Sequence, residues 1–339
     1  MSERSGAVID DEGSGRMSER PAAVIETRGL RRTFKTRSGP VAAVAGVDLR
    51  VEAGEVFGFL GPNGAGKTTT LRMLATLLTP SGGEATVAGF DLRKQPQHVR
   101  EEIGYVGQRG GSDQAVTGRD ELVFQGRIYG MNKRDAQLRA AELLRVLELE
   151  DCADRVSNTY SGGQRRRLDI GIGLMHGPKL LFLDEPTTGL DPQSRARLWE
   201  EVRRLRDAGT TIFLTTHYLE EADALCDRLA IIDHGKIVAE GSPDELKRQV
   251  AGDVVTVGVG GRQEDALQLF QSQPFVREAG AEEDGAIRLY VDRGETAMPA
   301  ILRLLDGAGL ELKTITLTRP SLDDVFLRQT GRSLREVAA

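Results

Sequence analysis

The chain has 339 residues, 39% hydrophobic and 28% charged, which fits a globular protein of two or three domains. Its net charge of −6 gives no bulk basic excess for nucleic acid, and two cysteines, Cys152 and Cys226, are too few for a disulfide framework and match no metal spacing. No apolar run reaches the ~18 residues a spanning helix requires, so any service to a membrane is expected from outside the bilayer.

Residues 1–22 are polar and Gly/Ser-rich and are expected to be a disordered tail. No apolar core lies between Arg4 and Arg16, so a signal peptide is not expected, and the repeat of "MSER" at Met1 and Met17 leaves two candidate starts. "AAVIETRGLRRTFK" alternates like a strand. "VAAVAGVDLRVEAGEVFGFLG" reads as short strands, the last running into a glycine loop at Gly61. "KTTTLRMLATLL" has helical spacing stopped by Pro80, "GEATVAGFDL" reads as a hairpin, and "EEIGYVGQ" as a short strand ending in a loop. Apolar residues three and four apart then predict a mostly helical subdomain over about 112–178.

"KLLFLDEP" and "TTIFLTTH" read as buried parallel strands, "SRARLWEEVRRLRDAG" and "YLEEADALCDRLA" as helices, and "LAIIDHGKIVAEG" as a hairpin turning at His234-Gly235. Strands alternating with helices predict an α/β class with a mostly parallel sheet. The texture changes near Val250. From there the order is β-α-β-β-α-β, the split arrangement of a ferredoxin-like domain, closed by a short helix at "PSLDDVFLRQTGRSL". The expected organisation is a tail over 1–22, a main domain over 23–246 and an accessory domain over 250–332.

Residues 61–68, "GPNGAGKT", fit G-x-x-x-x-G-K-[ST] and lie between a strand and a helix. Gly61, Gly64 and Gly66 let the backbone around Pro62, Asn63 and Ala65 curl so that the loop's amides, which proline itself lacks, approach phosphate oxygens. Lys67 supplies a point charge for the terminal phosphates, and Thr68, followed by Thr69, a hydroxyl for Mg²⁺. A nucleoside triphosphate site also needs an acid ending a buried strand. Asp184 fills that place as a metal ligand, and Glu185 beside it as the base that polarises water. His217 ends the next buried strand, where open α/β sheets face their ligand. Gln108 ends "IGYVGQ" with an amide that reaches metal or water.

"YSGGQRRRL" is a second helix start with anion-seeking character: Ser161, Gly162 and Gly163 followed by Gln164. One nucleotide has one γ-phosphate, so the economical expectation is that this turn meets the nucleotide of a second copy, in a two-fold pair holding two ATP molecules. A simple cap by Ser161 with no ligand is the alternative. The run Arg165, Arg166, Arg167 is the one obvious local basic patch.

"GPNGAGKTT", "YSGGQ", "LLFLDEPTTGLDP" and "TTH", in that order, resemble the ATP-binding subunit of an ABC transporter over about residues 23–246. The resemblance implies a P-loop NTPase fold, ATP and Mg²⁺ as cofactors, a sandwich homodimer, and Gln108 as sensor of an integral membrane permease subunit. It further implies Asp191 at the contact between copies, His217 at the γ-phosphate and Phe34 stacked on adenine. "ITLTRPSLDDVFLRQTG" is more specifically similar to the daunorubicin/doxorubicin-resistance branch, which implies export of a small hydrophobic compound from the cytoplasmic face of the membrane. For Leu322 to Leu327 it suggests assembly or regulation. Two departures stand out: Tyr160 replaces a common leucine and Gly107 a common proline. A soluble ABC-type ATPase acting on ribosome or DNA is the alternative, set against the single cassette, the lack of heptads and the negative charge.

Overall fold

The computed structural model describes residues 23–37, 39–249, 252–282, 285–318 and 320–331; the expected tail over 1–22 lies outside them. The first element is an antiparallel pair of long strands, β1 (Ala23–Thr36) and β2 (Gly39–Glu52). Short strands were expected for the second. Instead a single strand runs on, with its register slipping where β1 bulges between Thr27 and Leu30 around the left-handed Gly29 (φ 55°). β3 (Val56–Leu60) follows, buried at every residue, and leads into α1 (Lys67–Leu74). β4 (Gly82–Val87) and β5 (Phe90–Asp91) complete a four-stranded sheet in the order β2-β1-β4-β5.

α2 (Pro96–Glu102) was not anticipated: it buries only Val99, and seven residues with one apolar contact show no period. β6 (Ile103–Val106), α3 (Gly118–Ile128), α4 (Lys133–Val146), α5 (Gly162–Leu174), β7 (Leu180–Asp184), α6 (Pro192–Asp207), β8 (Thr211–Thr216) and α7 (Leu219–Leu225) then alternate. α7 is shorter than its sequence suggested. The backbone is already extended at Cys226 and Asp227 is claimed by β3, its amide donating to the Val56 carbonyl and its carboxylate accepting from the Val56 amide. β9 (Arg228–Asp233) and β10 (Lys236–Gly241) form the expected hairpin, and α8 (Pro243–Gln249) ends the main unit. The six-stranded sheet runs β10-β9-β3-β8-β7-β6, parallel except for its β9–β10 edge. β3, β7 and β8 lie side by side at its centre, so their C-terminal ends bring Gly61, Asp184 and Thr216 to one rim.

β11 (Asp253–Val259), α9 (Gln263–Gln271), β12 (Val276–Ala281), β13 (Ala286–Val291), α10 (Gly294–Gly307) and β14 (Leu312–Thr318) form a sheet in the order β12-β13-β11-β14 with every pair antiparallel. That is the expected split β-α-β-β-α-β arrangement. Val255, Val257, Ile287 and Leu289 pack with Phe270, Ile301 and Leu305 as a separate core.

The last helix, α11 (Leu322–Thr330), is the short closing helix expected, and its apolar side does not join the core of the small sheet. Leu322, Val325 and Phe326 belong to the core of the main domain, against α7, α8 and β10. Its polar side reaches back: Asp324 accepts from the Tyr290 hydroxyl at 3.0 Å and from Arg288 at 3.3 Å. The chain thus returns to pin the small sheet to the large domain. Phe326 is fully buried, so Phe326→Ala is expected to cost roughly 3–5 kcal/mol in urea unfolding of the full chain. A loss below about 1 kcal/mol would contradict this packing.

Candidate functional site

The glycine loop is shaped by its neighbours. A Cβ on Gly61 would lie 2.3 Å from the Ile232 carbonyl oxygen, and on Gly66, at φ 109°, 2.5 Å from that of Ala43. Only glycine lets this backbone pass between β9 and β2. The Gly235 amide holds the Ala65 carbonyl at 2.9 Å, strapping the loop to the β9–β10 turn. Pro62, Ala65 and Gly66 are buried, Asn63 and Gly64 exposed, Thr68 and Thr69 half-buried. The Lys67 ammonium, 4% exposed, curls back to donate to the carbonyls of Gly61 at 2.7 Å and Pro62 at 3.1 Å. It also lies 3.4 Å from Glu185 Oε1.

Glu185 gathers the remaining groups. Its Oε2 accepts from Gln108 Nε2 at 3.0 Å and the Thr188 hydroxyl at 3.3 Å, and lies 3.3 Å from His217 Nδ1. The His217 ring and then the Lys67 charge hold this carboxyl down to about 2, against the burial that would raise it. Burial pulls the Lys67 ammonium below its usual range, with Glu185 opposing. Glu185 also sits at φ 45°, a left-handed backbone uncommon for a side chain of its kind.

Asp184 is fully buried at the end of β7. Its Oδ1 accepts from Thr68 at 2.9 Å and Thr215 at 2.7 Å, while Oδ2 is buried with no hydrogen-bond partner. An orphaned carboxylate oxygen beside a threonine hydroxyl fits a hard divalent cation. The described residues hold no cluster of three His, Cys, Asp or Glu that could bind a metal alone. A cation here would complete its shell with oxygens other than carboxylates, such as hydroxyls, water or a bound ligand.

The other candidates lie apart from this cluster. Ser161 and Gln164 form a capping box: the Ser161 hydroxyl accepts from the Gln164 amide at 3.2 Å, and the Gln164 side chain accepts from the Ser161 amide at 2.9 Å. Gly162 and Gly163 are left as the helix's first donors. They lie beside the Asp191 turn, since a Cβ on Gly163 would sit 2.9 Å from Ser194 Oγ. Asp191 is exposed and caps α6, accepting from the Ser194 amide at 2.9 Å and hydroxyl at 2.6 Å. Phe34 pairs with Val41, two residues before Ala43, and carries the Arg32 guanidinium over its ring at 4.8 Å. Tyr160 is buried, its hydroxyl donating to the Cys152 carbonyl at 2.6 Å.

The basic run is not a surface patch. Arg166 and Arg167 are 7% and 8% exposed. Arg167 donates to the Leu147 carbonyl at 2.8 Å, and Arg166 to three carbonyls around the site. Sequence reasoning did not single out Arg166, Thr188 or Thr215 for the site. Thr215, on the strand that ends beside His217, carries the one signal that pattern offered.

A model of the ABC transporter family matches residues 44–188, and one described as the DrrA1-3-like C-terminal domain of ATP-binding proteins matches 241–330. The chain is 46% identical to the daunorubicin/doxorubicin resistance ATP-binding protein DrrA of Streptomyces peucetius, over 95% of this chain and 98% of that one. It is 36% identical to the linearmycin resistance ATP-binding protein LnrL of Bacillus subtilis, over 89% and 98%. Among solved structures it resembles a dimeric bacterial ABC transporter cassette (TM-score 0.59, 25% identity, 64% of this chain and 98% of that one). It also resembles cbiO1 of Clostridium perfringens, part of an ABC transporter complex (TM-score 0.60, 26% identity, 67% and 94%).

A carboxyl lowered on folding stabilises the fold above its ordinary value, 4.5, and that stability is lost as pH falls towards about 2. At neutral pH the parent is expected to exceed Glu185→Gln in unfolding free energy by up to about 3 kcal/mol. The gap should close only below pH 4.5. A gap that already shrinks above that value would contradict the depressed carboxyl.

Proposed function

The chain belongs to the ATP-binding proteins of ABC transporters, in the branch with the DrrA-like C-terminal domain, and from this premise we propose how it uses ATP to power export. It is an ATPase of the cassette fold. In our reading the loop from Gly61 to Thr69 takes the phosphates and Lys67 meets the terminal two. Glu185, held as a carboxylate, orients and polarises the attacking water. His217 and Gln108, both against Glu185 Oε2, hold that carboxylate and the water in line. Thr68, Asp184 and Gln108 would hold Mg²⁺, which when bound neutralises charge on the phosphate oxygens. Phe34 offers a face to adenine.

Two copies would enclose two nucleotides, the Gly162 and Gly163 amides of each meeting the phosphate held by the other. Ser161, Gln164 and Asp191 shape that edge. The single observation that carries the reading is the convergence of Lys67, Gln108 and His217 on one buried carboxylate.

No helix among the described residues is long and apolar enough to cross a membrane, and subunits of this family work with a membrane partner. We infer a peripheral position on the cytoplasmic face, docked to a separate integral permease. Phe124 (61% exposed) and Ile128 (60%), four residues apart on α3, together with Tyr129, offer an apolar stripe close in sequence to the Gln108 loop. The relatives named for daunorubicin, doxorubicin and linearmycin resistance support a small hydrophobic compound as cargo, handled by the permease.

Glu185→Gln should bind ATP yet lower turnover at least about a hundred-fold in a phosphate-release assay, and should accumulate as an ATP-bound dimer on sizing. Parent-like turnover would assign the base elsewhere. Lys67→Ala should weaken nucleotide binding roughly ten- to hundred-fold, the worth of one charge-assisted contact. Unchanged affinity in a fluorescence titration would overturn the phosphate loop.

A further inference from the structure

α5 carries Ser161–Gly163 at its start and Arg166 one turn in. The Arg166 guanidinium donates through Nε to the Pro186 carbonyl at 2.9 Å, through Nη2 to that of Asp184 at 3.1 Å, and through Nη1 to that of Gly107 at 2.6 Å. Two of these carbonyls bracket Glu185, and the third immediately precedes Gln108. One further turn along α5, Asp169 Oδ1 accepts from the amides of Gly111 and Ser112, both at 3.0 Å. Gly110 lies so close that a Cβ there would sit 2.4 Å from the carboxylate. The loop 107–112 is thus held at both ends by one face of one helix. Between the anchors Gln108 donates to Glu185 at 3.0 Å.

The chemistry suits this task. A guanidinium presents five donors in a rigid plane and can serve three fixed carbonyls at once, where an ammonium is a point charge on a flexible stem. Three strong donors in a buried setting make the backbone on either side of Glu185 follow the helix. A short stretch of helix moves as a body. A phosphate that draws the amides at the helix start therefore also shifts the Arg166 plane.

We propose that Arg166, with Asp169 at the far anchor of the loop, is a positioning residue that couples the two nucleotide sites of the dimer. Contact of one chain's Gly162–Gly163 amides with its partner's nucleotide sets, through Arg166, that same chain's own Gln108–Glu185 pair. Each site then reaches working geometry only when the other is filled. The proposal rests on the sandwich dimer put forward above.

The test is steady-state ATP hydrolysis by the full chain across ATP concentrations, with nucleotide affinity measured separately by a fluorescent ATP analogue at protein concentrations that keep the chain monomeric. The parent should show a Hill coefficient near 2, the number of sites in the pair. Arg166→Lys keeps the charge and loses the fork. Its Hill coefficient should fall towards about 1 and its kcat about ten- to hundred-fold, with unchanged monomer affinity. A purely structural role would lower the amount of active protein without changing the Hill coefficient. If Arg166→Lys fails to fold, Asp169→Ala, which leaves Arg166 in place, should give the same loss of cooperativity. A cooperative parent with an equally cooperative folded variant overturns the coupling alone. A non-cooperative parent overturns the dimer reading, and the coupling with it.

Discussion

A buried positive charge organises this molecule. Lys67 cannot leave its place: α1 begins with it, and its ammonium is closed in by the carbonyls of Gly61 and Pro62. Desolvating an ammonium is costly unless a countercharge is at hand. In this structure the countercharge is Glu185. Glu185 in turn needs its own restraint, because a carboxylate at φ 45° has a strained backbone to hold in place. Thr188, Gln108 and His217 supply that restraint on the side away from Lys67. A triphosphate is the natural replacement countercharge. Its arrival would free Glu185 from the lysine while leaving it tied to Gln108 and His217.

This view also accounts for the arrangement of the sheet. The three central strands β7, β8 and β3 end on the same rim, so acid, histidine and glycine loop meet without any one strand being distorted. Charge is buried where strand ends are packed from both faces. The helical segment 118–174 then presents its own anion-seeking start at some remove, beside the Asp191 turn. In the dimer proposed above, the donors of Gly162 and Gly163 would complete the site of the second copy.

Much of this was legible in the sequence because its chemistry is local. Eight residues of glycine loop, a strand ending in two acids and a strand ending in histidine each carry their meaning in their own spacing. The split β-α-β-β-α-β order was equally readable, since each element shows its own period. Groups whose role is fixed only by distant partners were not legible. Arg166 and Arg167 look like a solvated basic patch until the 107–112 loop and the Leu147 carbonyl close over them. The cap on α5 was readable as an alternative, and Ser161 does cap the helix, in a box with Gln164. α11 was legible as a short closing helix, but the core it joins is fixed only by distant partners, with Phe326 packing into the larger one.

The central claim is that Glu185 neutralises Lys67 until phosphate takes its place. Isothermal titration with a non-hydrolysable ATP analogue, at concentrations where the chain stays monomeric, tests it directly. Removing the competing carboxylate charge by Glu185→Gln should tighten binding, by about ten-fold for an interaction worth about 1.4 kcal/mol. Equal or weaker binding by that variant would show that the lysine is not held by Glu185 and would contradict the account.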